Sequence, residues 1–184
     1  FDFSEDIKKE FHKLHTQLFI DDNIVGLHYR GTDKMGSEIR KGYSESHYIN
    51  FDKTLLIIKK ELEKLNTNKL FVATDNAEIL STIKNKFTRV EVITVNHDFE
   101  TTNGVPLHLN RKNIHADDTT KYKIGSSGII DTLLLSKCKL VIKYASQLSA
   151  YSAIFNPSLE VYRVNKCNYC WFPERLIKSY DNTC

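Results

Sequence analysis

The chain has 184 residues, of which 41% are hydrophobic and 27% are charged, and its formal net charge is +3 at pH 7. These values predict one globular domain with a hydrophobic core of ordinary size. The small positive excess includes no basic block, which argues against nucleic acid as a partner and favours small anionic ligands. No run resembles a signal peptide or a transmembrane helix, and the chain begins with Phe1, as a piece of a longer protein would.

The chain contains four cysteines, Cys138, Cys167, Cys170 and Cys184, too few for a disulfide scaffold in a chain of this length. Cys167 and Cys170 form a CxxC pair, but no second CxxC or close histidine pair completes a zinc site. We therefore predict a local turn or an incidental pair there, and no metal site.

The first half of the chain alternates between helix and strand patterns. Residues 4 to 18 place apolar side chains at helical spacing, with Ser4 as a plausible N-cap. The run "NIVGLHYR" (23–30) predicts a short buried strand. Residues 44 to 66 predict a long amphipathic helix that begins at Ser44 or Ser46.

The same alternation of helix and strand patterns continues through the second half of the chain. Strands are predicted in "KLFVATD", "RVEVITV", "KLVIKYA" and "LEVYRV", and helices in "NAEILSTIKNKF", "SSGIIDTLLLSKC" and "SQLSAYSAIF". A polar loop is predicted from Asn96 to about Lys123. Regular alternation with near-continuous apolar strands predicts an α/β fold, a Rossmann-like parallel sheet of about five strands with helices on both faces.

Chemically active side chains follow several of these strands. His28 and Arg30 end the first strand, Asp75 ends the second, and residues 144–147 follow a later one. In open parallel sheets, ligands bind outside the carboxyl ends of the strands. We therefore expect these groups to meet at one edge.

The residue types at this edge suit a diphosphate. No Gly-rich dinucleotide fingerprint and no P-loop occur, so the usual nucleotide motifs are excluded. Arg30 and Lys34 bring positive charge, and predicted helix starts at Ser126–Ser127 and Ser146–Gln147 bring backbone N–H donors and hydroxyls. Such groups stabilise a diphosphate leaving group without necessarily using a metal.

Each of these residues also has an ordinary structural interpretation. The structural roles are a surface ion pair for Arg30 with Asp33, an N-cap for Asp75 and for Ser146, and a core position for His28. Asp131 is harder to explain in this way, because it interrupts an apolar helix face and a buried carboxylate needs a partner.

Three stretches, "VGLHYRGTDKMGSE", "LFVATDNAEIL" and "GIIDTLLLSKCKLVIKYASQLSAYSAI", resemble in order and spacing the donor-site motifs of the α1,6-fucosyltransferases and the bacterial nodulation-factor fucosyltransferases. These enzymes are related to the protein O-fucosyltransferases. The resemblance implies a nucleotide-sugar-binding domain over 23–164, similar to the donor-binding half of a GT-B glycosyltransferase. Residues 1–22 are then an N-terminal helix and lead-in, and 165–184 a C-terminal tail.

The first motif implies catalytic roles. By this resemblance Arg30 grips the β-phosphate of GDP-fucose and neutralises the leaving GDP, Asp33 orients Arg30, and His28 contacts the nucleotide. Lys34 and Glu38 match residues near the acceptor, and the glutamate is the proposed base. Many family members have a second arginine after the first, whereas Gly31 follows Arg30 here.

The other motifs imply nucleotide contacts. Asp75 matches an acidic position near the nucleoside, Asp131 the carboxylate that pairs with the guanine edge, and Ser146, beside Gln147, a hydroxyl on the phosphates. The implied reaction transfers fucose to a glycan hydroxyl with inversion, uses no cofactor and requires no divalent metal. The implied partners are a nucleotide sugar and an oligosaccharide acceptor.

Several alternatives remain open at this level. They are transfer from another nucleotide sugar, a non-catalytic or partner-dependent GDP-sugar-binding domain, and an unrelated flavodoxin-like module. The resemblance also implies a second, acceptor-binding half that is not visible in this sequence. His108, Arg111 and His115 in the polar loop are not predicted to bind ligand. Bacterial relatives work in the cytosol and animal relatives in the secretory pathway, and the composition does not distinguish the two.

Overall fold

The structure is a computed structural model that describes residues 2–29, 50–95 and 115–164. In chain order, its elements are α1 (Glu5–Leu18), β1 (Val25–Tyr29), α2 (Phe51–Lys64), β2 (Lys69–Thr74), α3 (Ala77–Lys86), β3 (Glu91–Ile93), α4 (Asp118–Leu135), β4 (Leu140–Lys143), α5 (Gln147–Phe155) and β5 (Glu160–Arg163). No helix within these segments combines the length and the apolar character needed to cross a membrane.

The five strands form one parallel sheet in the order β3-β2-β1-β4-β5. The chain builds outward from β1 through β2 to β3, and then returns to place β4 on the other side of β1. The direction of winding therefore reverses between β1 and β4. This is the doubly wound α/β sheet that the alternating sequence pattern predicts, and the predicted fold class is confirmed.

Side chains alternate along the strands into two hydrophobic cores. Leu27 and Val72 belong to the core beneath α2 and α3. Phe71 and Val141 belong to the core on the opposite face, which α1 and α4 cover and against which Ala153 of α5 packs. Because both faces are covered, the strands are apolar at nearly every position.

Gly26 in β1 allows α4 to approach the sheet closely. A Cβ at this position would lie 3.0 Å from Cys138 Sγ, 3.1 Å from Leu135 Cδ2 and 3.1 Å from Val141 Cγ2. Contacts this short are tighter than ordinary van der Waals contacts, so a side chain here would have to push its neighbours aside. The absence of a side chain at Gly26 therefore lets α4 lie close to β1.

Two helix starts differ from the sequence prediction. α2 begins at Phe51, with Asn50 accepting a hydrogen bond from the Asp52 backbone N–H, and not at Ser44 or Ser46, which lie outside the described residues. α4 begins at Asp118, where Asp117 caps the helix by accepting from Thr120 N–H at 2.7 Å. The predicted polar loop therefore ends before residue 118.

The early start of α4 removes one predicted anion site. Ser126 and Ser127 lie inside the helix, where their hydroxyls donate to the carbonyl oxygens of Lys123 and Ile124. Backbone N–H groups inside a helix are already used in the helical ladder. The prediction of an N–H cradle at Ser126–Ser127 was therefore wrong, because the Asp117 cap was not recognised as a helix start.

Candidate functional site

The edge at which β1 and β4 end is the candidate site. His28 pairs in register with Ala73 of β2 on one side and with Lys143 of β4 on the other. Asp75 follows β2 directly, and Ser146 begins the helix that follows β4. The structure thus brings the described residues of the three predicted clusters to one edge, at the position where the winding reverses.

His28 is buried, with 6% of its surface exposed. Strand alternation places its side chain on the same face as Gly26, two residues earlier, and so beneath α4. The ordinary interpretation of His28 as a core residue and its predicted nucleotide contact are both compatible with this position at the edge.

Asp131 lies above the same part of the sheet. It stands one helical turn before Leu135, which packs against Gly26, and beside the fully buried Leu134. Leu135 lies against Gly26, whereas Thr132 donates a hydrogen bond to the carbonyl oxygen of Leu148, near the start of α5. The half-buried Asp131, one turn before Leu135, therefore lies on the part of α4 nearer the carboxyl edge.

Ser146 and Gln147 form the start of α5. Ser146 occupies the N-cap position in an extended conformation and is 3% exposed, and its side chain makes no cap hydrogen bond. Its carbonyl oxygen accepts from Ala150 N–H at 3.2 Å, which begins the helix. The N-terminal N–H groups and the positive end of the helix dipole therefore lie at the edge, where they favour an anion.

Asp75 is not the cap of α3. Asn76 occupies that position, and its Oδ1 accepts from Ile79 N–H at 3.0 Å. The structural interpretation of Asp75 as an N-cap was therefore wrong. Its half-buried carboxyl group lies at the edge, one strand away from His28.

Aromatic rings support the edge from the opposite face. The Tyr29 ring centroid lies 5.1 Å from that of Phe51 and 5.0 Å from that of Tyr144, both in edge-to-face geometry. The buried hydroxyl of Tyr144 is hydrogen-bonded to that of Thr54. These contacts tie the start of α2 to the ends of β1 and β4, which limits movement of the strands that carry the site.

Two buried cations at this edge were missed from sequence. Lys143 ends β4 and is 0% exposed, and Arg163, its register partner on β5, is 2% exposed. Both share the face of Val141 and Val161, which is also the face of His28. In the sequence, Lys143 lies inside the apolar run "KLVIKYA" and Arg163 inside "LEVYRV", and the neighbours of both residues across the sheet cannot be read from the chain.

The catalytic part of the first motif lies outside the described residues. It consists of Arg30, Asp33, Lys34 and Glu38, and Arg30 is the residue after Tyr29 in the chain. His108, Arg111 and the cysteines at 167 and 170 also lie outside. His115 is exposed and precedes α4. Within the described part of the chain, no three His, Cys, Asp or Glu side chains cluster in the manner of metal ligands.

The fold defines a doubly wound α/β domain, and its candidate site lies at the topological switch point, where such sheets bind ligands. The sequence model of the α-(1,6)-fucosyltransferase N-terminal and catalytic domains matches residues 1–150. This match covers most of the chain, so the chain belongs to that family, and the resemblance noted from its motifs is confirmed. Among curated proteins, none matches the chain significantly.

Solved fucosyltransferase structures have a similar fold. NodZ α-1,6-fucosyltransferase soaked with GDP-fucose superposes with a TM-score of 0.50 at 19% identity, over 83% of this chain and 42% of that one. NodZ co-crystallised with GDP gives 0.48 at 19% identity, over 81% and 41%. NodZ from Bradyrhizobium gives 0.43 at 19% identity, over 76% and 37%. This chain therefore spans less than half the length of these enzymes.

Proposed function

We propose that this chain is the donor-binding part of a fucosyltransferase that transfers fucose from GDP-fucose to a hydroxyl group of a glycan. Family membership over residues 1–150 supports the class of reaction. The observation that supports the proposal is that His28, Asp75 and the start of α5 lie at one edge of the sheet. The NodZ structures that share this fold were obtained with GDP-fucose and with GDP.

Asp131 is the residue we assign to the guanine base. A carboxylate accepts two parallel hydrogen bonds from the N1–H and the 2-amino group of guanine, and neither adenine nor uracil offers this pair of donors. The position of Asp131 on the part of α4 nearer the carboxyl edge supports this role. Asp75, one strand further, is assigned to the nucleoside.

The diphosphate end is assigned to Arg30 and the start of α5. Arg30 follows β1, and its planar guanidinium can donate two hydrogen bonds to one phosphate. The N–H groups of α5, with Ser146 and Gln147, are assigned to the other phosphate oxygens. In this proposal these groups stabilise the charge of the leaving GDP without a divalent metal, and Asp33 orients Arg30.

The transfer step is a displacement with inversion. The acceptor oxygen attacks C1 of fucose while the bond from C1 to the β-phosphate oxygen breaks, and the bonding electron pair leaves with GDP. Glu38 accepts the proton of the attacking hydroxyl, and Lys34 lies near the acceptor. A base of this kind contributes about 10²–10⁴-fold to the rate. The acceptor-binding half of the two-half architecture is assigned to a part of the protein outside the described residues.

Ligand-dependent thermal stability tests the donor assignment. A bound ligand raises the melting temperature in proportion to the logarithm of its concentration over its Kd. GDP and GDP-fucose should therefore raise the melting temperature more than UDP, ADP or their sugar derivatives at equal concentration. Equal protection by all three nucleotides would contradict the guanine assignment and favour another nucleotide sugar.

Turnover separates an enzyme from a domain that only binds the nucleotide sugar. Release of GDP from GDP-fucose, measured with and without oligosaccharide acceptors, should be faster with a suitable acceptor. Tight GDP-fucose binding with no release under any of these conditions would favour a non-catalytic or partner-dependent domain.

A further inference from the structure

We propose that a groove between α2 and the turn from α3 to β3 binds an acidic segment of a partner protein, with one large apolar side chain of that segment seated in the groove. None of the residues assigned to the donor lines this groove. The inference therefore goes beyond the proposed function and does not depend on it. It is carried by the apolar lining of the groove and by the charge of its rim.

The lining of the groove is largely apolar. The groove has a volume of about 500 Å³ and is open to solvent. Leu55 of α2 and Phe87 and Val90 of the turn line it, and all three also pack in the core beneath α2 and α3. A concavity of this size with an apolar lining accommodates a leucine or aromatic side chain of a bound peptide.

Leu56, which also lines the groove, is an exposed apolar residue on a charged helix face. It is 68% exposed, one of the few large hydrophobic side chains exposed among the described residues. Every other exposed residue of α2 is charged, namely Asp52, Lys53, Lys59, Lys60, Glu63 and Lys64. Leu56 does not contribute to the core of the domain, and apolar surface beside an open groove is typical of an interaction site.

The rim of the groove is mainly basic. Lys59 of α2, Lys86 at the end of α3 and Arg89 of the turn carry three positive charges, and Asp52 carries one negative charge. Lys59 lies 3.9 Å from Glu63, whereas Lys86 and Arg89 form no ion pair among the described residues. The exposed cations beside the apolar lining therefore favour carboxylates on the ligand.

The charge and the shape of the groove select a peptide over two other occupants. A second copy of the chain would bring two sets of rim cations together, which is electrostatically unfavourable. An anionic membrane matches the charge, but membranes bind apolar faces that project into the lipid, and these apolar residues line a concavity. A peptide segment supplies both an apolar side chain for the groove and carboxylates for its rim.

The test uses short fluorescein-labelled peptides and the full chain. The probe peptide has a single phenylalanine flanked on both sides by aspartates and glutamates. In one control peptide glycine replaces the phenylalanine, and in the other lysines replace all the acidic residues. Binding is measured by fluorescence anisotropy at low and at high salt concentration.

We expect the probe peptide to bind, and to bind more weakly at high salt, because exposed charges are screened. The glycine peptide should bind at least about 10-fold more weakly, since no apolar side chain enters the groove. The basic peptide should not bind, because it is repelled by the rim.

Two exposed positions of the groove are tested by substitution. Leu56→Asp should weaken binding of the probe peptide about 10-fold, and Arg89→Glu about 3- to 10-fold, because an attractive contact becomes repulsive. Ile20→Asp, at a position that is 83% exposed elsewhere, and Lys60→Glu, on the same helix but outside the groove, are the matched controls and should bind the peptide as the wild type does. GDP binding should be equal in all five proteins.

Four results would overturn the inference. The first is no binding of the probe peptide up to about 1 mM. The second is equal binding of either control peptide, and the third is wild-type affinity in both Leu56→Asp and Arg89→Glu. The fourth is a different occupant: a dimer of the chain, or binding to phosphatidylserine vesicles, that Leu56→Asp abolishes while the probe peptide does not bind. None of these results bears on the GDP assignment, which is tested separately.

Discussion

His28 and Lys143 face each other in register on neighbouring parallel strands, with both side chains buried at the carboxyl edge where the winding of the sheet reverses. Buried polar and charged side chains of this kind need hydrogen-bond or ionic partners. The same edge carries Asp131 above the sheet and the start of α5 after β4. The start of α5, whose N–H groups and dipole favour an anion, is the physical basis for assigning a nucleotide diphosphate to the edge.

The guanine assignment predicts a specific change in base selectivity. The wild type should bind GDP more tightly than inosine diphosphate, which lacks the 2-amino group. Asp131→Asn should weaken GDP binding about 10- to 100-fold and bring the two affinities close together, since a charge-assisted bond is lost. Titration of both nucleotides measures this. Asp118→Asn, at the exposed start of α4, serves as the control and should behave as wild type.

The assignment of Glu38 as the general base predicts that its substitution lowers the rate of transfer without weakening donor binding. Glu38→Gln should keep the GDP-fucose affinity of the wild type and lower the rate of transfer about 10²–10⁴-fold, because the amide cannot accept the proton of the acceptor. Transfer to the best oligosaccharide acceptor and donor binding are measured on the same preparations. Transfer at the wild-type rate would remove Glu38 from the role of base.

The phosphate assignment predicts a double effect at Arg30. Arg30→Ala should weaken GDP binding and also lower the rate of GDP release from GDP-fucose about 10²–10³-fold, because charge on the leaving diphosphate loses its stabilisation. Arg30→Lys should recover part of the binding but less of the rate, since an ammonium cannot make the bidentate contact. An alanine variant as active as the wild type would refute the role of Arg30.

The packing at Gly26 predicts a loss of stability that is independent of the site chemistry. Gly26→Ala places a Cβ 3.0 Å from Cys138 Sγ and 3.1 Å from Leu135 Cδ2, and it should lower the free energy of unfolding by about 1–3 kcal/mol. Gly125→Ala is the control, because its Cβ meets nothing within 4 Å in the middle of α4.

The control substitution should have the opposite sign. Replacing a glycine by alanine in an exposed helix position stabilises the helix by about 0.5–1 kcal/mol. Urea unfolding of both variants measures the two changes. A Gly26→Ala variant as stable as the wild type would show that α4 can move away from β1 without loss.

Local sequence patterns were sufficient for most of the secondary structure. The apolar runs at β1, β2 and β4 and the helical spacing of α1 and α3 depend on near neighbours in the chain, and so they were predicted correctly. The start of α4 was not. Asp117 caps that helix, but the threonines and the glycine that follow have low helix propensity, so the local pattern did not predict a helix there. The sequence also did not show that Asn76, and not Asp75, caps α3, because both residue types are suitable N-caps.

The sequence by itself determined that this is a parallel α/β domain, because the period of its apolar residues is a local property. Its motifs also determined the family, and they identified the residue types that suit a diphosphate. Only the tertiary structure decided that His28, Lys143 and Arg163 form one buried row across three neighbouring strands. The physical reason is that strand order and register are set by packing between distant segments, so contacts across the sheet depend on pairing that no local pattern specifies.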